Sequence, residues 1–426
     1  IVFGDWSSDV CSSDLKLCAN LQKKPAHATT VIPAEPFKKS DRMADTHFDI
    51  VIIGAGPAGV TLALHLAGKG IKAAILDKDR FPRPKVCGDA LGGKVINVLK
   101  RIPGSIYEDF LHNVEKHPSR GIRFFSPQRQ MVTVPFPTGK EESLKTPGYV
   151  CRRELFDNFM VSHLRRARDI EFMEGVTAEK VVHEHGKIVV YTTAGLLSAQ
   201  LVVGADGVNS IVRKSLSATS IDPKHICIGI RRYFSGISFP DGDDCIELHF
   251  LRSLLPGYLW IFPGPGGISN VGIGILKSKV IRERVNLISH FRELIASDPL
   301  LRARFESAVP VGKAEAHSLS MGTMPLKKYG DRFLLLGDAG FMVDPFSGEG
   351  IGNAMGSAES ALSVITDCLR SNDFSARALS MYQEKTDLRF SNEFRIMGSM
   401  QRLTAFPGLI NLVVKKASAK DRKSVV

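Results

Sequence analysis

The chain of 426 residues has no CxxC pair: its seven cysteines, Cys11, Cys18, Cys87, Cys151, Cys227, Cys245 and Cys368, are scattered. An odd, dispersed set argues against a zinc site or a disulfide frame and fits a reducing compartment, so a cytoplasmic location is expected. No apolar run approaches the roughly 20 residues of a membrane-spanning helix, which excludes an integral span by that test. Lysine and arginine outnumber acids, 56 to 44, for a formal charge of +12. They form no compact basic block and no nucleic-acid module appears, so nucleic acid is not an expected partner. Tryptophan is scarce, two residues in all, and one of them is Trp260 in the stretch YLWIFP.

The first 42 residues lack any strand or helix period, and SSDVCSSDL (Ser7 to Leu15) is a near-tandem repeat. This leader and the terminal DRKSVV are expected to be foreign to the native protein, with Met43 the natural start, and they are left out of the fold. From Phe48 the pattern sharpens. FDIVII is a short, mostly apolar run of the kind buried in parallel sheets, and Gly54, Gly56 and Gly59 then form GxGxxG before a helix rich in leucine. The glycines allow a sharp turn, let backbone N–H groups approach a pyrophosphate, and seat the helix on the strand. Pro57 and Ala58 lie inside that turn. A second strand ends at Ile75 and Leu76, and Asp77, followed by Lys78, stands where an acid accepts hydrogen bonds from a ribose. Strand, turn, helix and acid in register predict a dinucleotide site without saying which dinucleotide.

Two later stretches bear on that. LVVGADGVNSIVRKSL is a strand ending in Gly204, with Asp206 and Gly207 beyond it, and RFLLLGDAGFMVDPFSGEGIGNAM is a strand ending in Gly337 and Asp338. Both resemble the GADGxxSxVR and GDAxxxxxPxxGEGI signatures of FAD proteins with the para-hydroxybenzoate-hydroxylase-type fold, and the resemblance spans Phe48 to about Met400. It implies FAD as cofactor. It also implies that Asp338 accepts from a ribityl hydroxyl and that Pro345 stiffens the following turn. Gly348, Glu349, Gly350 and Ile351 then bring a helix N-terminus to the pyrimidine side of the flavin. Arg153, in RRELFD, matches the helix start that faces the flavin in such proteins.

Between these segments the period changes to that of strands rich in β-branched and aromatic residues, as in Ile122 to Pro137, His225 to Ile237, Cys245 to Leu251 and YLWIFP. The expected fold is therefore α/β: a Rossmann-type FAD-binding domain (44–115, 150–220 and 317–372), an interleaved antiparallel-sheet substrate domain (116–149 and 221–316) and a C-terminal helical region (373–426). In YLWIFP, Tyr258, Trp260 and Phe262 share one face and Leu259 and Ile261 the other, so the strand is buried between two layers. Its rings form either a packed sheet core or the wall of a hydrophobic tunnel. RFPRPKVCGDALGGKV follows the ribose acid, and its Cys87 is either an inert small residue or a thiol facing the chamber, with Gly88 allowing close approach.

The KVCGD segment and the YxWxFP segment together resemble the geranylgeranyl reductase family. One departure stands out: the proline expected three residues before Tyr258 is replaced by Leu255, and the proline is Pro256. The resemblance implies an FAD enzyme that saturates carbon–carbon double bonds in prenyl chains, with Cys87, Tyr258, Trp260 and Phe262 at the reaction site. Cys87 and Gly88 also count among the residues near the cofactor. NAD(P)H or another reductant would be a transient electron donor. Two alternatives remain open at this level: a flavin monooxygenase or halogenase of the same fold, and an electron carrier to quinone. Near the C-terminus, Leu409, Ile410, Leu412, Val413 and Val414 precede Lys415, Lys416, Lys420, Arg422 and Lys423. That order fits peripheral association with an anionic lipid surface, and equally a packed helix with a solvated basic tail.

Overall fold

A computed structural model describes residues 46–136, 148–217 and 219–421. The leader, Pro137 and the last basic residues, Arg422 and Lys423, lie outside the described residues. The apolar run at the start of the frame forms strand β1 (Thr46–Ile53), whose last four residues are buried because parallel neighbours flank it on both sides. The chain leaves it at Gly54, where φ is +104°, and enters helix α1 (Pro57–Leu66) before returning as β2 (Ala73–Asp77). A Cβ on Gly59 would lie 1.9 Å from the Gly54 carbonyl oxygen, so helix and turn can be this close only with glycine there.

The chain then visits a second layer, with β3 (Gly121–Phe125) and β4 (Met131–Pro135), and returns through helix α2 (Arg153–Leu164), β5 (Ile170–Glu174) and β6 (Gly195–Gly204). A second excursion supplies β7 (Ile226–Ser235), β8 (Cys245–His249), β9 (Tyr258–Phe262), β10 (Ile268–Leu276) and β11 (Val309–Ser320). The last return adds β12 (Phe333–Leu335) and helix α3 (Ile351–Ser371), and the described chain closes with α4 (Asn392–Leu403) and α5 (Pro407–Asp421). The first sheet runs β12–β6–β1–β2–β5 in parallel, and α1 and α3 pack against each other beside it.

The second sheet has the order β11–β7–β10–β9–β8–β3–β4. It is antiparallel except for one pair: β3 and β8 run parallel, with Cys245 opposite Gly121. These two strands come from separate visits of the chain to this layer, so no hairpin fixes their relative direction. The stretch expected as one strand, Ile122 to Pro137, is instead a hairpin. Ser126 N–H donates to Gln130 O at 2.8 Å and Gln130 N–H donates to the Ser126 hydroxyl at 3.2 Å, closing a turn around Pro127. On one face of β9, Leu259 and Ile261 join a core with Phe291, Ile295 and Leu301 from the covering helices; on the other face Trp260 and Phe262 pack with Val150, Ile246 and Leu248. The alternation read from YLWIFP thus corresponds to two distinct apolar layers.

Candidate functional site

The glycine turn is shaped unevenly. Gly54 and Gly59 are crowded, whereas a Cβ on Gly56 would meet nothing within 4 Å, which leaves the side where N–H groups of α1 emerge open to a ligand. Gly56 caps α1 without any side-chain bond, so the helix N-terminus keeps its unpaired donors. Asp77 accepts from Ala55 N–H at 2.8 Å and from Asp79 N–H at 2.9 Å, which orients its carboxylate beside the turn and leaves lone pairs on both oxygens. Lys78 is exposed. At the end of β6, Asp206 accepts Ile211 N–H through one oxygen, while its other oxygen is buried with no partner, and burial pushes its pKa up. Gly207 next to it holds a φ of +78°. An open glycine cradle and an orphaned buried acceptor are what a dinucleotide with ribose and phosphate groups would complete.

The loop after β2 lies against the aromatic strand. A Cβ on Gly88 would sit 3.0 Å from the Phe262 ring and 3.8 Å from the Trp260 ring nitrogen. Asn270, on β10, ties loop and strand together. It accepts from the Trp260 ring N–H at 2.9 Å, and its amide donates to Cys87 O and to Asp89 Oδ2, both at 2.7 Å. Tyr233 on β7 donates to the same Asp89 oxygen at 2.7 Å, and Arg153 N–H reaches Oδ1 at 3.3 Å. Asp89 is buried at a φ of +68°, and burial raises its pKa against the pull of these donors. Two short bonds to one carboxyl oxygen hold geometry firmly, so this hub fixes the backbone of Cys87 and Gly88 beneath the rings. Tyr258 reaches the other way, donating its hydroxyl to the Ser347 carbonyl in the loop before Gly348.

A charged cluster completes the centre. Arg153 makes two 2.8 Å bonds to Asp157; burial is the largest single influence and works against its charge, but Asp157 and Cys87 together overcome it and the pKa rises. Burial raises the Cys87 pKa and the Arg153 charge offsets only part of the rise, so the sulfur holds its proton at neutral pH. Lys85 Nζ is 2.8 Å from His317 Nε2 on β11. Burial, reinforced by Arg153, lowers the Lys85 pKa to about 8, while Asp338 opposes the fall. Burial and Lys85 push His317 down to about 3, so its neutral ring accepts the lysine proton. Asp338 in turn is raised by burial and restrained by Lys85 and Arg153. Lys85, Cys87, Asp338 and Glu349 keep part of their surface exposed, although burial is the largest influence on the titration of each.

The structure thus brings Cys87, Gly88, Arg153, Trp260, Phe262 and Asp338 into one neighbourhood. Gly337, at a φ of +54°, donates its N–H to Ser357 on α3 at 3.0 Å, and Pro345 is buried beside Gly398. Glu349 Oε1 accepts Gly352 N–H at 3.0 Å, and Gly350 precedes Ile351, the first residue of α3, without a side-chain cap. Sequence reasoning missed Asn270, Tyr233 and His317. Asn270 left a trace, as the one amide in the apolar run ISNVGIGIL; the other two have partners more than a hundred residues away in the chain. Two surface clefts, one bordered by Lys328, Gln383 and Asp387 and the other by Glu115, Phe159 and His163, share no residue with this cluster.

Residues 47–231 match the family described as FAD binding domain. Digeranylgeranylglycerophospholipid reductase 1 of Methanococcoides burtonii is 28% identical over 354 residues, covering 81% of each chain. A protein of the same name from Methanopyrus kandleri is 26% identical, covering 82% of this chain and 88% of its own. Among solved structures, a geranylgeranyl bacteriochlorophyll reductase-like protein from Thermoplasma acidophilum superposes with a TM-score of 0.75 at 21% identity, covering 88% of this chain and 92% of its own. A mutant of halogenase PltM in complex with FAD follows at 0.70 and 19%, covering 85% and 78%. The fold is that of FAD-binding oxidoreductases, and the curated relatives carry the names that the KVCGD and YxWxFP segments suggest. FAD is the cofactor these glycine-rich segments fit.

Proposed function

We propose that the protein is an FAD-dependent reductase that saturates carbon–carbon double bonds of geranylgeranyl and related prenyl chains carried on a lipid, quinone or chlorophyll-type group. The observation that carries this is the contact of the Cys87–Gly88 loop with Trp260 and Phe262, in a chain whose relatives are named for reducing such lipids. Gly54, Gly56, Gly59, Asp77, Asp206 and the segment from Gly337 to Ile351 would hold FAD. When bound and reduced, the flavin supplies a hydride to one alkene carbon; NAD(P)H or another reductant would recharge it.

The residues of the chain do the rest. An isolated alkene has no polar handle, so it must be positioned by shape, and the rings of Phe262, Trp260 and Tyr258, with centroids 6.3 and 6.4 Å apart along the strand, form a continuous apolar surface for that. Burying the chain there excludes water from the reacting carbons. Cys87 holds a proton at Sγ, its pKa raised by burial, and would deliver it to the second carbon. Asn270 and Asp89 fix the loop that carries the thiol. Because such prenyl lipids reside in membranes, peripheral contact with a bilayer belongs to the same proposal.

The test is anaerobic. The bound flavin is reduced, geranylgeranyl lipid or menaquinone is added, and flavin reoxidation is followed with the mass of the chain. A gain of two hydrogens per turnover is expected. Flavin that stays reduced with every prenyl compound, and reoxidises only with oxygen to give a hydroxylated or halogenated product, would overturn the proposal in favour of a monooxygenase or halogenase.

A further inference from the structure

Helix α5 is apolar on two sides. Ile410 and Val414 face inward and pack on Phe250 and Leu255. Phe250 continues the ring series of β9, with its centroid 6.0 Å from that of Tyr258, so the aromatic surface beginning at Phe262 ends beneath this helix. On the outward side, Leu409, Leu412 and Val413 are 37%, 48% and 58% exposed, and Phe406, just before the helix, is 64% exposed. Helix α4 carries a stripe of its own: Ile396, Met400 and Leu403, at i, i+4 and i+7, are also exposed. Of the 15 exposed large apolar side chains among the described residues, seven fall between positions 396 and 413. Singly scattered apolar residues are ordinary on a surface, but apolar rows at helical spacing on two successive helices mark a surface made to be covered.

The charges beside the stripe indicate what covers it. Lys415 and Lys416 follow on exposed positions of α5, and Arg402 is exposed on α4. A second copy of the chain would bury the apolar stripe but would set these cations against each other, in a protein whose formal charge is already +12. An anionic bilayer offers acyl chains to the stripe and phosphates to the lysines, the arrangement of interfacial helices.

We propose that the outward face of α4 and α5 docks on an anionic lipid bilayer, so that a prenyl chain leaves the bilayer beside α5 and meets the ring series from Phe250 to Phe262. The route taken by the chain rests on the prenyl-reductase proposal; the docking does not.

The experiment uses the FAD-loaded protein and sedimentable vesicles of phosphatidylcholine, alone or mixed with phosphatidylglycerol. Wild type is expected to sediment with the mixed vesicles. The double variant Leu412→Glu/Val413→Glu, at exposed positions, should bind about tenfold more weakly or worse with unchanged melting and flavin content, and Lys415→Glu/Lys416→Glu should lose the preference for anionic lipid. Reduction of a bilayer-embedded prenyl lipid should fall in step with binding, while reoxidation of the flavin by a short, detergent-dispersed prenyl alcohol stays at the wild-type rate. Wild type that remains in the supernatant with both vesicles, or a glutamate pair that binds as well as wild type, would overturn docking. So would a dimer in light scattering that the same variant dissolves, which would assign the stripe to a second copy. Vesicle binding with no flavin reoxidation by any prenyl compound would leave docking supported and remove the prenyl route.

Discussion

Lys85 is a charge that the folded chain holds at a cost, and the cost can be measured. Its ammonium sits deep beside Arg153, and its pKa falls from 10.5 to about 8, mainly through burial. That displacement corresponds to about 3 kcal/mol at full desolvation, and to about 2 kcal/mol after allowance for the solvent that reaches this partly covered chain. The sign follows from proton counting. Between about pH 8 and 10.5 the unfolded chain still binds the Lys85 proton and the folded chain has released it. Stability therefore rises with pH across that window, and the cost is fully present below it. Lys85→Met removes the charge and also the bond to His317, worth about 1 kcal/mol. Near pH 7.5 the variant should be the more stable by about 1–2 kcal/mol, and the advantage should shrink by about 2 kcal/mol as pH reaches 10.5, where only the lost bond remains. Urea unfolding of FAD-free protein at pH 7.5, 9 and 10.5, with equal m values for the two proteins, would read this directly. A difference between the two proteins that stays constant to within about 0.5 kcal/mol across the range would refute the assignment of a desolvated cation to this site.

Cys87→Ala should retain FAD and its fold but slow flavin reoxidation by a prenyl substrate by about 100-fold or more, as for loss of a proton donor; stopped-flow absorbance checks it, and an unchanged rate would remove the thiol from the chemistry. Gly272→Ala would place a Cβ 2.3 Å from the Trp260 ring, with Ile230 O equally close. Overpacking of that kind should destabilise by about 1–3 kcal/mol and shift the emission of Trp260, whose only fellow tryptophan is Trp6. Asp157→Asn leaves the Arg153 guanidinium buried without its countercharge and should lower stability by about 3–5 kcal/mol, seen as a fall in the urea midpoint.

Much of the site was legible before folding because it depends on local backbone needs. GxGxxG, Asp77 and the strand end at Gly204 each state a conformational requirement within a few residues and stand where the sequence placed them, whereas the strand expected to reach Gly337 and Asp338 stops at Leu335 and Gly337 begins a tight helical turn. Strand β9 was equally readable, since alternating apolar side chains on both faces demand two layers. The hairpin between β3 and β4 was not, because its turn is built from Ser126, Pro127 and Gln130 in a run whose strand period continues on either side. The departure at Leu255 and Pro256 left the wall undisturbed: Leu255 packs with Phe250 and Val414, at the end of the ring series.

Local pattern alone specifies a dinucleotide-binding α/β frame with an aromatic strand between its flavin segments, because glycine turns and side-chain periods are local consequences of covalent geometry. Packing was needed to show that Asn270 and Asp89 bind the Cys87 loop to Trp260, that His317 receives Lys85, and that the rings end under α5. Those are contacts between segments far apart in the chain, and hydrogen bonding and burial at such range become defined only when two sheets from separate visits of the chain are packed face to face.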